Sequence, residues 1–145
     1  MRKILLSLII LNINLLFAFE WPIPDISNQW IFSYFGNNNG GIISTSLIFK
    51  DETSVVASEK GTILIKMQEQ TEDTDFFPST LGTTVIISHE DELLSVYGNL
   101  DSKSVSTHLQ GKKIVEKKET IGITGNSAWQ KNKNSLEFQI IDTKK

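Results

Sequence analysis

Apolar positions along this chain fall into one long block and then many short ones. Ile4 to Phe17 is apolar apart from a few interruptions such as Asn12 and Asn14. Beyond it the apolar residues come in runs of three to seven: Leu47-Ile48-Phe49, Val55-Val56-Ala57, Thr62 to Met67, Thr83 to His89, Leu93 to Tyr97, Lys113 to Val115, Thr120 to Ile123 and Ser135 to Ile141. None sustains a 3.6-residue period over four turns, so these runs predict strands rather than helices. Gly61 between the second and third runs predicts a tight hairpin. Glu90-Asp91-Glu92 predicts another turn, and Asn37-Asn38-Asn39-Gly40-Gly41 is a strong turn signal because Asn and Gly tolerate positive φ. Pro22 and Pro24 make the stretch after the first block an extended lead-in. Many short strands separated by turns predict an all-β fold, an antiparallel sandwich or barrel-like sheet core with few or no helices.

The first block is read differently. Arg2 and Lys3 precede it and Ala18 follows it, the layout of a secretory signal peptide. It is short for a hydrocarbon layer of about 30 Å. Leu16 is bulky for the −3 position of a cleavage site, which leaves an uncleaved anchor as the alternative. The expected organisation is a signal at 1–18, a lead-in at 19–34, one β domain at 35–142 and a tail at 143–145. The expected location is the periplasm or cell envelope.

Composition narrows the chemistry. The 145 residues carry a formal charge of −3, which argues against a phosphate-neutralising nucleic-acid binder. With no cysteine there are no disulfides, thiolate metal sites or thiol nucleophiles. Two histidines are present, His89 and His108. His89 is expected to cap a strand or its turn, with a ligand role as the alternative; His108 reads as a solvated residue in a polar connection. Trp30 and Tyr97 read chiefly as core. Glu69, Glu72, Asp73 and Asp75 lack the spacing and glycine of a calcium loop and read as a solvated acidic loop. Glu137 and Asp142 are five residues apart and should face opposite sides of a strand, so a paired-carboxylate site is unsupported.

Several segments, in order, carry a resemblance. Gly82-Thr83-Thr84-Val85-Ile86-Ile87-Ser88-His89 followed by Leu93-Leu94-Ser95-Val96-Tyr97-Gly98-Asn99-Leu100 resembles the central hairpin of the lysostaphin-type (LytM-like) zinc peptidases. Val55 to Ile63 is similar to an upstream pair of strands in that family. Gly111, Val115, Ile121-Gly122 and Gly125-Asn126-Ser127 track a downstream segment, and Leu136, Phe138 and Ile140 fit the last strand.

The resemblance implies hydrolysis of peptide cross-links in bacterial cell walls, with zinc held by an H-x-x-x-D pair and the second His of H-x-H. Carried over position by position, the first pair falls on Ser44 and Ile48, the histidine of Y-x-H-L on Asn99, and the H-x-H pair on Ser135 and Glu137. All five differ from the family pattern. Catalytic zinc usually needs three protein ligands and an open position, so zinc is expected to be lost and the chain is expected to be a pseudoenzyme. Ser44 and Ser135 lack a sequence-adjacent base to activate them.

The resemblance also includes metal-free LytM-like domains whose vacated cleft binds a cell-wall amidase. A regulator or scaffold of a cell-wall hydrolase is therefore the first expectation. A peptidoglycan-binding module is the alternative, with Trp129, Tyr97 and His89 as candidate groove residues. An active zinc peptidase with displaced ligands stands last.

Overall fold

The computed structural model describes residues 19–26, 31–39, 42–43, 47–50, 52–68, 79–128 and 134–144. Residues 1–18, read above as a signal, together with Trp30, Ser44, the acidic residues of 69–78 and Trp129, lie outside the described residues.

Seven strands form the main sheet: β1 (Ile31–Ser33), β4 (Leu47–Lys50), β6 (Gly61–Met67), β7 (Thr84–Ser88), β8 (Leu93–Gly98), β9 (Ile114–Val115) and β11 (Ser135–Asp142). Their lateral order is β1-β4-β11-β8-β7-β6-β9, with every ladder among the described residues antiparallel. A two-stranded sheet of β5 (Ser54–Val56) and β10 (Thr120–Ile123) accompanies it, and a short hairpin joins β2 (Asn38–Asn39) to β3 (Ile42–Ile43). The core holds Val55 of β5 and Ile121 of β10 together with Ile87, Tyr97 and Leu136 of the main sheet, all 0% exposed. This is the all-β antiparallel architecture that the short apolar runs predict.

Two local expectations change. The runs on either side of Gly61 are not a hairpin: β5 pairs with β10, whereas β6 pairs with β7 and β9. Residues 57–60 carry the chain from one sheet to the other. Gly61 serves close approach here, since a Cβ would lie 2.3 Å from the Ser88 carbonyl oxygen.

The polar connection holding His108 contains a helix, α1 (Ser102–Leu109). The Asp101 side chain caps it by accepting from the Ser104 N–H at 2.7 Å. Ser104 Oγ accepts from the Ile123 N–H at 2.9 Å and fastens the helix to β10. Only Val105 and Leu109 supply its buried apolar surface, one turn apart. An eight-residue helix is too short to show a sustained apolar period.

The lead-in is part of the packed body. Ile23 is 1% exposed in the core, Val56 N–H donates to the Pro22 carbonyl, and Glu20 N–H to that of Ser58. Strand β1 then extends the sheet beyond β4.

Candidate functional site

Strand β8 ends where Asn99 takes a left-handed conformation, φ 62°. Asn is among the few non-glycine residues that tolerate this region. The turn directs its side chain, 3% exposed, toward the start of β11 and the segment 125–128. Its Nδ2 donates to the Gly125 carbonyl at 2.9 Å, the Ser135 carbonyl at 3.0 Å and Ser135 Oγ at 2.7 Å. Two amide hydrogens serve these three acceptors, so one is shared. Oδ1 accepts from the Ala128 N–H at 2.8 Å. The main chain adds Asn99 N–H to Leu81 O at 2.6 Å and Gly125 N–H to Asn99 O at 2.8 Å.

Gly125 is confined by this arrangement: a Cβ there would lie 2.4 Å from the Asp101 nitrogen. Ser127 continues the stitching, with Oγ accepting from the Thr83 N–H at 2.9 Å and donating to the Leu100 carbonyl at 2.8 Å. Gly125 and Ser127 were visible in the sequence as part of a matching segment. Their bonding to Asn99 and Thr83 was not, because it depends on how three distant segments meet.

The ladder places Glu137 directly opposite Ile48 on β4 and Gly98 on β8. Ser135 lies two residues from Glu137, on the same face by strand alternation. Leu136 and Phe138 turn to the other face and are buried with Phe49 and Tyr97. Ile48, Asn99, Ser135 and Glu137 therefore meet at one patch of the sheet, where β4, β11 and β8 run side by side.

Tyr97 does not line a groove. It is 0% exposed, its ring lies 5.3 Å from that of Phe138, and its hydroxyl accepts from the Ser58 N–H at 2.8 Å. Burial pushes its phenol above the ordinary value, against the lowering effect of Ser58. His89 is also withdrawn from any groove. Its Nδ1 meets the Lys60 carbonyl at 2.8 Å and its Nε2 meets Ser95 Oγ at 2.6 Å. A carbonyl can only accept, so Nδ1 carries the hydrogen in the neutral ring. Phe19 stands edge-on to this ring at 5.0 Å. Ser95 lies four residues from Asn99 along β8, roughly 13 Å at strand rise, so His89 is no base for Ser135.

A profile of peptidase family M23 matches residues 43–145. The chain belongs to peptidase family M23. An uncharacterized protein of Treponema pallidum (strain Nichols) is 30% identical over 140 residues, covering 89% of this chain and 92% of that protein. Among solved structures, a zinc-containing peptidase from Vibrio cholerae superposes with TM-score 0.63 at 16% identity. That match covers 86% of this chain and 36% of the peptidase, so this M23 chain spans about a third of that protein's length. The SpoIIQ–SpoIIIAH pore-forming complex contains a chain that superposes with TM-score 0.55 at 19% identity, covering 85% of this chain and 82% of that one. At these identities the two structures establish the fold.

The groups at the patch do not fit the zinc of M23 peptidases. Ile48 has no donor atom, and Asn99 has its amide engaged with Ser135, Gly125 and Ala128. Glu137 brings the one carboxylate among the four described positions. Among the described residues no three His, Cys, Asp or Glu side chains cluster as metal ligands. Neither an amide nor a serine hydroxyl titrates near neutral pH, so Asn99 and Ser135 cannot exchange a proton as a histidine pair would.

Proposed function

We propose that this M23 domain is an exported, non-catalytic member that works in the bacterial cell envelope, regulating or scaffolding a cell-wall hydrolase through the patch formed by Ile48, Asn99, Ser135 and Glu137. One observation carries the reading: Ile48, Asn99, Ser135 and Glu137, four of the five positions aligned with ligands and catalytic histidines, meet at a single place, yet hold an alkyl group, an amide, a hydroxyl and one carboxylate. The fold is kept around chemistry that cannot activate water. A sheet face of this kind suits an extended peptide or a protein segment as ligand. Export rests on Arg2, Lys3, the apolar run 4–17 and Ala18. The SpoIIQ–SpoIIIAH complex supplies a precedent for the fold within a protein assembly.

The test pairs two measurements on one preparation. Metal analysis after dialysis against zinc is expected to find far less than one zinc per chain, and sacculi should not be lysed. Site-specific photo-cross-linking from position 137 in living cells is expected to capture an envelope hydrolase. Stoichiometric zinc together with lysis would restore the peptidase. Co-sedimentation with purified sacculi, with no protein cross-link from position 137, would replace the regulator by a wall-binding module.

A further inference from the structure

We propose a second binding site, for a neutral saccharide, in a 490 Å³ cleft walled by Glu20, Trp21, Pro24, Asp25, Val56 and Lys118. It lies apart from the Asn99 patch: its walls come from the lead-in, from β5 and from the turn between β9 and β10, none of which contributes to that patch. The volume falls within the range of small-ligand clefts, roughly 300–1,000 Å³.

The frame of the cleft is fixed. Pro22 and Glu20 are bonded through their main chains to Val56 and Ser58. On the opposite wall the Lys118 N–H donates to the Ala57 carbonyl at 2.8 Å, and Ala57 N–H donates to Glu119 O at 2.9 Å. Trp21 is held edge-on to the buried Phe49 ring at 6.2 Å yet stays 50% exposed. An indole anchored on one side and open on the other is an amphipathic platform: an apolar body with one N–H donor. Asp25 and Lys118, which line the same cleft, both hold left-handed backbone, φ 53° and 65°, an uncommon conformation for residues other than glycine.

Charge narrows the ligand class. Lys118 Nζ lies 3.3 Å from Glu20 Oε1, so that pair is mutually compensated. Asp25 then leaves the rim one net negative charge, which repels an anionic ligand. A neutral ring with many hydroxyls suffers no such repulsion, and a cation is the competitor that the test must exclude. The neutral ring can lay its C–H face on the indole, donate to Asp25 and Glu20, and accept from Lys118. A saccharide has this chemistry.

Titration calorimetry of the full-length protein tests the assignment with three probes: an N-acetylglucosamine tetramer, maltotetraose and spermidine. Saturable binding of at least one sugar is expected, with spermidine weaker. Trp21→Ala should weaken the sugar at least tenfold, in the range of a lost aromatic stacking contact. Asp25→Asn keeps a residue that tolerates the left-handed backbone and should weaken it about threefold. If Trp21→Ala fails to fold, the Asp25→Asn result decides. No saturation by either sugar at 10 mM, sugar affinity unchanged in the folded variants, or spermidine bound more tightly than both sugars would overturn the site. These outcomes are independent of metal content and cross-linking at the Asn99 patch.

Discussion

Strand β8 is closed at each end by a buried polar side chain, and the two closures differ in kind. At one end Asn99 makes four bonds through a group that does not titrate, in a left-handed turn joining β8, β11 and the 125–128 segment. At the other, His89 bridges the Lys60 carbonyl and Ser95 Oγ, with Glu59 and Lys117 near by. Both fully satisfy a buried polar group, as a low-dielectric interior demands. On the proposed reading, the Asn99 closure stands where an M23 peptidase needs groups that exchange protons. The imidazole of the hairpin stands at the far end, as a tie.

The largest effect should come from the Asn99 end. Asn99→Ala strands the Ala128 N–H, removes the tie to Ser135 and forces a Cβ residue without a polar side chain into φ 62°. Urea unfolding should show a loss of about 3 kcal/mol or more. Asn99→Gly removes the same bonds but frees the backbone, so it should recover about 1 kcal/mol of that loss. A change within about 0.5 kcal/mol in Asn99→Ala would mean that the amide is not what holds β8 to β11.

That difference marks what the sequence could and could not disclose. The strands were legible because the apolar runs are short and separated by turn residues, and Leu136 and Phe138 lie on the core side as period two requires. The ordered segments from Val55 to Ile140 were enough to suggest the family. The β5–β6 hairpin was misread because a glycine at a tight turn looks the same locally as a glycine at a crossing between sheets. Helix α1 escaped because its apolar face is two residues wide. Residue type left Tyr97 open between core and groove, and His89 between a capping and a ligand role, because burial depends on what Ser58, Phe138 and Phe19 do from other parts of the chain. The cleft at Trp21 was hidden because a Pro-rich lead-in gives no local sign of packing on β5.

The next effect sharpens the contrast from the other side. Ser95→Ala leaves His89 Nε2 without its partner in a nearly closed site, at a cost of about 1–3 kcal/mol. It should leave the Asn99 end intact, so amide exchange at Ala128 should keep its native protection while the 89–95 turn exchanges faster. Equal loss of protection at both ends would show that the hairpin yields as one unit. Asp101→Ala should come third, with about 1 kcal/mol lost from removal of the cap on α1. It acts next to Gly125 but leaves the Asn99 side-chain bonds in place, so helix content should fall before the β8–β11 tie is affected.

The smallest effect depends on pH and belongs to the His89 end. At Glu59, partial burial raises the carboxyl pKa, but the Lys60 N–H and the Lys117 ammonium outweigh it and hold the group below its ordinary 4.5. Lys117 Nζ stands 2.9 Å from Glu59 Oε2. In the window between the lowered folded value and 4.5, the unfolded chain binds more protons than the native one. The stabilisation from Glu59 is therefore complete above 4.5 and is lost as pH falls through the folded value. With solvent screening at this partly exposed pair it amounts to under about 1 kcal/mol. Stability measured from pH 6 to pH 3 should fall less steeply in Glu59→Gln than in the wild type. Asn99→Gly, which removes no titrating group, should shift that curve down without changing its slope. Parallel curves for Glu59→Gln and the wild type would place the acid sensitivity elsewhere and remove this distinction between the two ends of β8.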